Sequence, residues 1–251
     1  MNGIRTALPS FRVAAAELPS SFRVVEEHAV VVAVAGAPGW ADEAGRVIDR
    51  GARVVVVDAP HHDAGDVSAL AARRVPVTLS RPALRADDAH LASTRSPTRA
   101  ITVEAHSPRG HLATTLADAV GWARVLGGGH LDLRSTSASG VAVLADLSGP
   151  SCDVALVASE RSDPRGVARL RATTLAAERV DVLVEGSAAQ VTRSSAEGDL
   201  RVARRWESPA RLALRRAAAA LHEGGSDDLA DWCHDSLLAH AILHPRVQPQ
   251  A

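Results

Sequence analysis

Ala29-Val-Val-Val-Ala-Val-Ala35, the turn Gly36-Ala-Pro-Gly39, and Arg53-Val-Val-Val-Val-Asp58 are the stretch that decides the fold of this chain. Both runs are continuously apolar and rich in β-branched residues, the pattern of strands buried on both faces. Between them, Ala41 to Arg50 places Ala44, Val47 and Ile48 on one face, with Gly51 as a stop, and reads as a helix. A second helix over Ala64–Arg73 and a third strand around Val75–Leu79 continue the alternation. Strand–helix–strand–helix–strand with short connections predicts parallel βαβ units. Residues 1–28 read as irregular, since Pro9 and Pro19 interrupt any long element.

The pattern changes after residue 97. Ile101–Ala105 alternates as a strand, and Leu112–Leu126 fits a helix stopped by Gly127-Gly-Gly129. Strand-like segments follow at 131–137, 141–147, 154–159, 167–174, 180–185, 189–193 and 200–204, and helices return at 209–222 and 227–244. Successive strands without intervening helices predict an antiparallel sheet. The expected architecture is therefore α/β: a truncated Rossmann-like parallel sheet over residues 1–97, followed by an α+β domain with an open antiparallel sheet over residues 98–251.

Composition excludes several functions. The chain contains no lysine and no tyrosine, so no Schiff-base lysine and no tyrosine proton donor exists. A net charge of -1 and 2% aromatic residues leave neither the electrostatic footprint nor the stacking platforms of a nucleic-acid binder. No run of 18 apolar residues is present and the N-terminal segment has no apolar signal core, so a cytoplasmic protein without a membrane segment is expected. Large core pieces are few: Trp40, Trp122, Trp206 and Trp232. Cys152 and Cys233 lack disulfide-framework or metal spacing, and Cys233 beside Trp232 reads as buried and inert.

Two readings fit residues 29–58. Gly36-x-x-Gly39 followed about 20 residues later by Asp58 is a reduced dinucleotide fingerprint, the carboxylate placed for a ribose hydroxyl. Alternatively, the glycines serve only a tight turn. Asp58, His61 and His62 are the best proton-transfer candidates, at the carboxyl edge where open α/β sheets bind ligands; the competing reading is a solvated turn with Asp63 capping the next helix. His240 and His244 share a helix face, with His234 off that face. No carboxylate completes that set, and no metal site is expected. No G-x-S-x-G elbow occurs.

Val34-Ala-Gly-Ala-Pro38, then Arg50-Gly-Ala-Arg-Val-Val-Val-Val-Asp58-Ala59-Pro60, then Arg74-Val-Pro-Val-Thr-Leu79 resemble the middle of the glucose–fructose oxidoreductase / inositol dehydrogenase / MocA family. Leu116–Gly127 with the strand after it, Arg179-Val-Asp-Val-Leu-Val-Glu-Gly186 with Gln190-Val-Thr, and the final helical hairpin extend the resemblance over about residues 29–244. It implies an NAD(P)-dependent oxidoreductase of sugars or polyols. Cofactor contacts would come through Gly36, Ala37, Pro38, Trp40, Asp58 and Pro60. A substrate cleft would be bordered by His106, His111, Thr114 and Asp118. Oligomers would form through the antiparallel sheet.

The departures from the family are specific. No Gly-rich phosphate loop precedes Ala29, where only Gly3 stands. The family's Glu-Lys-Pro turn reads Asp58-Ala59-Pro60, so the reactive lysine is Ala59 while the cis-prone turn proline remains. The family's helical histidine falls at Ala117 or Asp118, its aspartate at Ala113 or Thr114, and its turn histidine at Asp42. The expectation is a family homologue that has lost catalysis, with no cofactor assigned and NAD(P) left open, acting as a binding or partner subunit in a homo-oligomer or beside an active relative. The alternative is an NAD(P)-dependent oxidoreductase with atypical cofactor contacts.

Overall fold

The computed structural model describes residues 1–92, 98–163, 166–203 and 207–245. Trp206 lies outside them. Contacts divide the chain into two units, Met1–Pro82 with the 205–230 segment and Ala83 to residue 204 with 231–251.

The first unit is a five-stranded, wholly parallel sheet: β1 (Asn2–Thr6), β2 (Phe22–Val24), β3 (Val31–Ala35), β4 (Val54–Asp58) and β5 (Val77–Ser80), in the order β2-β1-β3-β4-β5. The two apolar runs are its adjacent central strands, in register from Val31↔Val54 to Ala35↔Asp58. Helix α2 (Trp40–Asp49) occupies the position expected. Helix α3 (Val67–Ala72) is shorter than expected, because Asp66 rather than Asp63 caps it, accepting from the Ala69 N–H at 2.9 Å.

The N-terminal 28 residues are not irregular. They supply β1, helix α1 (Pro9–Ala16) and β2. Pro9 stands at the first helical position, where a missing N–H costs nothing and the fixed φ suits the helix, so it starts α1 instead of breaking it. Phe11, Ala14 and Ala15 then fall on one face and pack with Ile4, Phe22, Val31 and Val56. Helix α6 (Pro209–Glu223) closes the same core through Ala213, Leu214 and Ala217, although it follows the second sheet in sequence. The edge strand β5 is guarded by Asp228, which accepts the Leu79 N–H at 2.8 Å.

The second unit is an eight-stranded sheet of β6 (Ala100–Ser107), β7 (Asp132–Ala138), β8 (Ala142–Ser148), β9 (Asp153–Glu160), β10 (Arg169–Leu175), β11 (Arg179–Glu185), β12 (Ala188–Ser195) and β13 (Gly198–Arg201). Its order is β13-β12-β11-β10-β6-β9-β8-β7, antiparallel throughout except that β6 and β9 run parallel. Strict alternation sends Ile101, Val103, Leu156, Val182 and their row-mates to one face, covered by helix α5 (Leu112–Gly127) and helix α7 (Asp228–Leu243). A short helix α4 (Ala86–Ala92), unmarked in the sequence reading, precedes β6. Among the described residues no helix is long and apolar enough to cross a membrane.

Since Phe11 is fully buried in the first core, Phe11→Ala is expected to lower unfolding free energy by about 3–5 kcal/mol, measured by denaturant titration. A change under about 1 kcal/mol would mean that α1 is not part of that core.

Candidate functional site

In an open parallel sheet, ligands bind beyond the carboxyl ends of the strands where the strand order reverses, here between β1 and β3. Three turns meet this edge: Thr6–Pro9, Gly36–Gly39 and Asp58–Asp66. A dinucleotide pyrophosphate would need free N–H groups at a helix N-terminus and a turn that lets backbone approach closely.

The first turn does not fit. It carries no glycine, and Pro9 has no N–H. The Leu8 N–H donates to Thr6 Oγ1 at 3.0 Å, the Phe11 and Arg12 N–H groups reach back to the Leu8 carbonyl at 3.2 Å, and Arg12 Nε donates to the Thr6 carbonyl at 3.3 Å. These donors are consumed by the turn itself.

The second turn is filled by the third. Gly36 donates its N–H to the Asp58 carbonyl at 2.7 Å, and its own carbonyl accepts the His61 N–H at 2.7 Å. A Cβ at Gly36 would lie 2.4 Å from the Ala59 oxygen, so this glycine exists for contact with the chain's own backbone. Gly39, at φ 75°, turns the chain into α2. Its N–H donates to the Asp63 carbonyl at 2.9 Å, and the Ala41 N–H to the Ala64 carbonyl at 2.8 Å. Trp40 Nε1 adds a bond to the His61 carbonyl at 3.0 Å. Main-chain carbonyls of the 59–66 loop thus take α2 N-terminal donors that a phosphate would use.

The structure therefore brings Gly36, Trp40, Asp58, Pro60, His61 and His62 together. The Ala59–Pro60 peptide is trans, against the expectation of a cis-prone turn; Ala59 makes the turn at φ 49°. Burial holds the Asp58 carboxyl above the ordinary aspartate value. Burial also lowers His62, the neighbouring His61 acting in the same sense and Asp63 opposing; the two rings lie 4.1 Å apart. His61 Nδ1 accepts the Asp63 N–H at 3.1 Å, which orders the loop.

The remaining candidates lie in the second unit. His106 stands on the exposed face of β6, its Nδ1 2.8 Å from Ser159 Oγ. His111 is exposed at the start of α5 and makes no side-chain cap. Thr114 and Asp118 are half-buried, four apart on α5. His240 and His244 do approach, at 4.5 Å between rings, but among the described residues no three metal-ligating side chains gather. Missed by sequence reasoning were Thr6, Leu8 and Pro9; the only signal was a proline placed to begin a helix after a short apolar strand.

No family model matches the chain, and no curated protein matches it by sequence. Solved structures do match. The dehydrogenase MviM from Clostridium difficile superposes with a TM-score of 0.69 at 8% identity, over 96% of this chain and 97% of that one. UDP-N-acetylglucosamine 3-dehydrogenase GnnA from Acidithiobacillus ferrooxidans gives 0.68 at 11%, over 96% and 98%. KijD10, a 3-ketoreductase from Actinomadura kijaniata solved with NADP, gives 0.62 at 12%, over 96% and 95%. The chain has the fold of these dehydrogenases. The resemblance to the glucose–fructose oxidoreductase / inositol dehydrogenase / MocA family holds at the level of this dehydrogenase fold.

Two outcomes follow. Gly36→Ala must push the Ala59 backbone away and is expected to cost about 2–3 kcal/mol in denaturant unfolding; a neutral effect would show that the contact is loose. Because the Asp58 value is raised on folding, its contribution is present below the ordinary aspartate range and is lost as pH rises through the raised value. Asp58→Asn should then raise the melting temperature at about pH 7 and leave it nearly unchanged at about pH 3. Calorimetric melting at both pH values checks this.

Proposed function

We propose that this chain is a dehydrogenase-fold protein that has given up nicotinamide chemistry and serves as a partner subunit. The observation that carries this is the closure of the carboxyl edge: the N–H groups that would cradle a pyrophosphate are spent on Thr6, Leu8, Asp63 and Ala64. The residues present do not fit a dinucleotide. With Ala59 where the family carries its lysine, and with no lysine or tyrosine anywhere, the turn lacks the family's reactive side chain, and only Asp58, His61 and His62 stand beside it.

The open face of the eight-stranded sheet supports the partner role. Opposite the face covered by α5 and α7, register sets Leu144, Val157, Glu104, Arg171 and Leu183 side by side on β8, β9, β6, β10 and β11. The row reads apolar, apolar, acid, base, apolar, and Leu144, Val157 and Leu183 are all exposed large apolar side chains. A two-fold axis along the strands between β6 and β10 would lay Glu104 of one copy on Arg171 of another, and Val157 on Leu183. Such self-complementarity is what an isologous interface requires. The partner is a second copy of the chain or an active relative presenting the same face.

A second reading, an NAD(P)-dependent oxidoreductase using Asp58, His61 and His62, is favoured by the catalytic character of the neighbours, one of them solved with NADP.

Light scattering tests the partner role. Wild type should be at least dimeric, Glu104→Arg should shift it towards monomer, and Glu104→Arg with Arg171→Glu should restore assembly. A monomeric wild type, or assembly unaffected by Glu104→Arg, would contradict it. Ala59→Lys should produce no nicotinamide-dependent turnover of sugars or polyols; turnover on that single change would favour the oxidoreductase reading.

A further inference from the structure

The second unit holds a polar cluster between α5, the α5–β7 turn and α7. Arg124, near the end of α5, bonds two carboxylates of α7 at once. Its Nη1 lies 2.9 Å from Asp231 Oδ2, while Nε and Nη2 lie 2.8 and 3.2 Å from the two oxygens of Asp235. Asp235 is fully buried. One guanidinium faces two carboxylates, so these three side chains carry one excess negative charge in a site largely screened from water, an arrangement that favours taking up a proton.

His234 is placed to hold that proton. Its Nδ1 lies 3.3 Å from Asp235 Oδ1. Its Nε2 lies 3.0 Å from the Leu131 carbonyl oxygen and 3.1 Å from the Leu131 nitrogen. Each protonation state therefore has its own partner at the same residue. The imidazolium donates to Asp235 and to the Leu131 carbonyl. The neutral ring, with its hydrogen on Nδ1, keeps Asp235 and accepts the Leu131 N–H. Leu131 is itself buried, at the entrance to β7.

The second imidazole is His130, stacked on His234 with ring centroids 4.2 Å apart and planes 13° from parallel. Two cations at that separation would repel. His130 is mostly exposed, and its nearest carboxylate, Asp231, is 3.6 Å from Nε2. His234 has the closer carboxylate and a carbonyl acceptor. On β7 the nearest charges in sequence, Asp132 and Arg134, are exposed, and Arg134 is paired with Asp153.

We propose that His234 is a proton-operated clasp: when charged it neutralises the Arg124–Asp231–Asp235 cluster and fastens α7 to the α5–β7 turn, and when neutral it keeps its contacts to Asp235 and Leu131 but leaves the cluster's negative charge uncompensated, so that the hold weakens. The hydrogen bond to Asp235, opposed by burial and aided by the Leu131 carbonyl, holds the imidazole above its ordinary value. The sign follows from this. A raised folded-state value adds stability that is fully present below the unfolded histidine value and is lost as pH rises through the folded one. Helix α7 is thus held tightly in mild acid and loosened in mild alkali.

The test uses the full chain. NMR titration of the His234 ring should give a midpoint above that of an unstructured histidine. Hydrogen-exchange protection of α7 amides, corrected for intrinsic rates, should fall severalfold between about pH 6 and about pH 8.5. Asp235→Asn, which removes the excess charge and keeps the shape, should flatten that dependence, as should His234→Gln. A His234 midpoint at or below the unstructured value overturns the proposal. So does α7 protection that is the same at both pH values, or a slope that survives Asp235→Asn. If the variants fail to fold, the wild-type ring titration and exchange profile decide alone.

Discussion

The backbone contact between Gly36 and the Asp58–Ala59 peptide is the constraint on which the candidate site depends. It needs a residue without a side chain, since a Cβ would sit 2.4 Å from the Ala59 oxygen. Once it forms, the loop that follows β4 is drawn over the start of α2, and the carbonyls of His61, Asp63 and Ala64 fall on donors of that helix. A helix N-terminus attracts negative partial charge whatever its source. Here the chain supplies its own, in neutral form and covalently attached.

The same edge carries groups that ordinary packing would avoid. Asp58 is partly buried and held above its usual value, and His61 and His62 lie ring against ring. Ala59 sits at positive φ, which disfavours residues with a Cβ. Such strain at the carboxyl end of a parallel sheet is common where a fold places chemistry. In this chain it stands without the lysine and without the glycine-rich turn.

Much of the fold was legible. The two valine-rich runs read as buried parallel strands because no polar residue interrupts them, and β11 showed its faces through alternation. The N-terminal strand and helix were misread because Pro9 was weighed as a breaker when its place was the first turn of α1. Helix α3 was drawn too long because Asp63 and Asp66 are equally good caps in sequence, and only the backbone decides between them. At the site, the change to Ala59 was visible from residue identity. The capture of α2 donors by loop carbonyls was not, since backbone acceptors leave no mark on the residues that carry them. His234 was noted for its spacing to His240, whereas its partner Leu131, and Arg124 that pairs with the neighbouring Asp235, lie over a hundred residues away in sequence.

The central claim is that the chain occupies its own dinucleotide site. Isothermal titration calorimetry with NADH and with NADPH, on protein of verified mass and oligomeric state, tests it most directly. The account predicts no heat of binding up to high-micromolar cofactor. Saturable binding in the micromolar range would mean that the 59–66 loop yields to a ligand, and would contradict it.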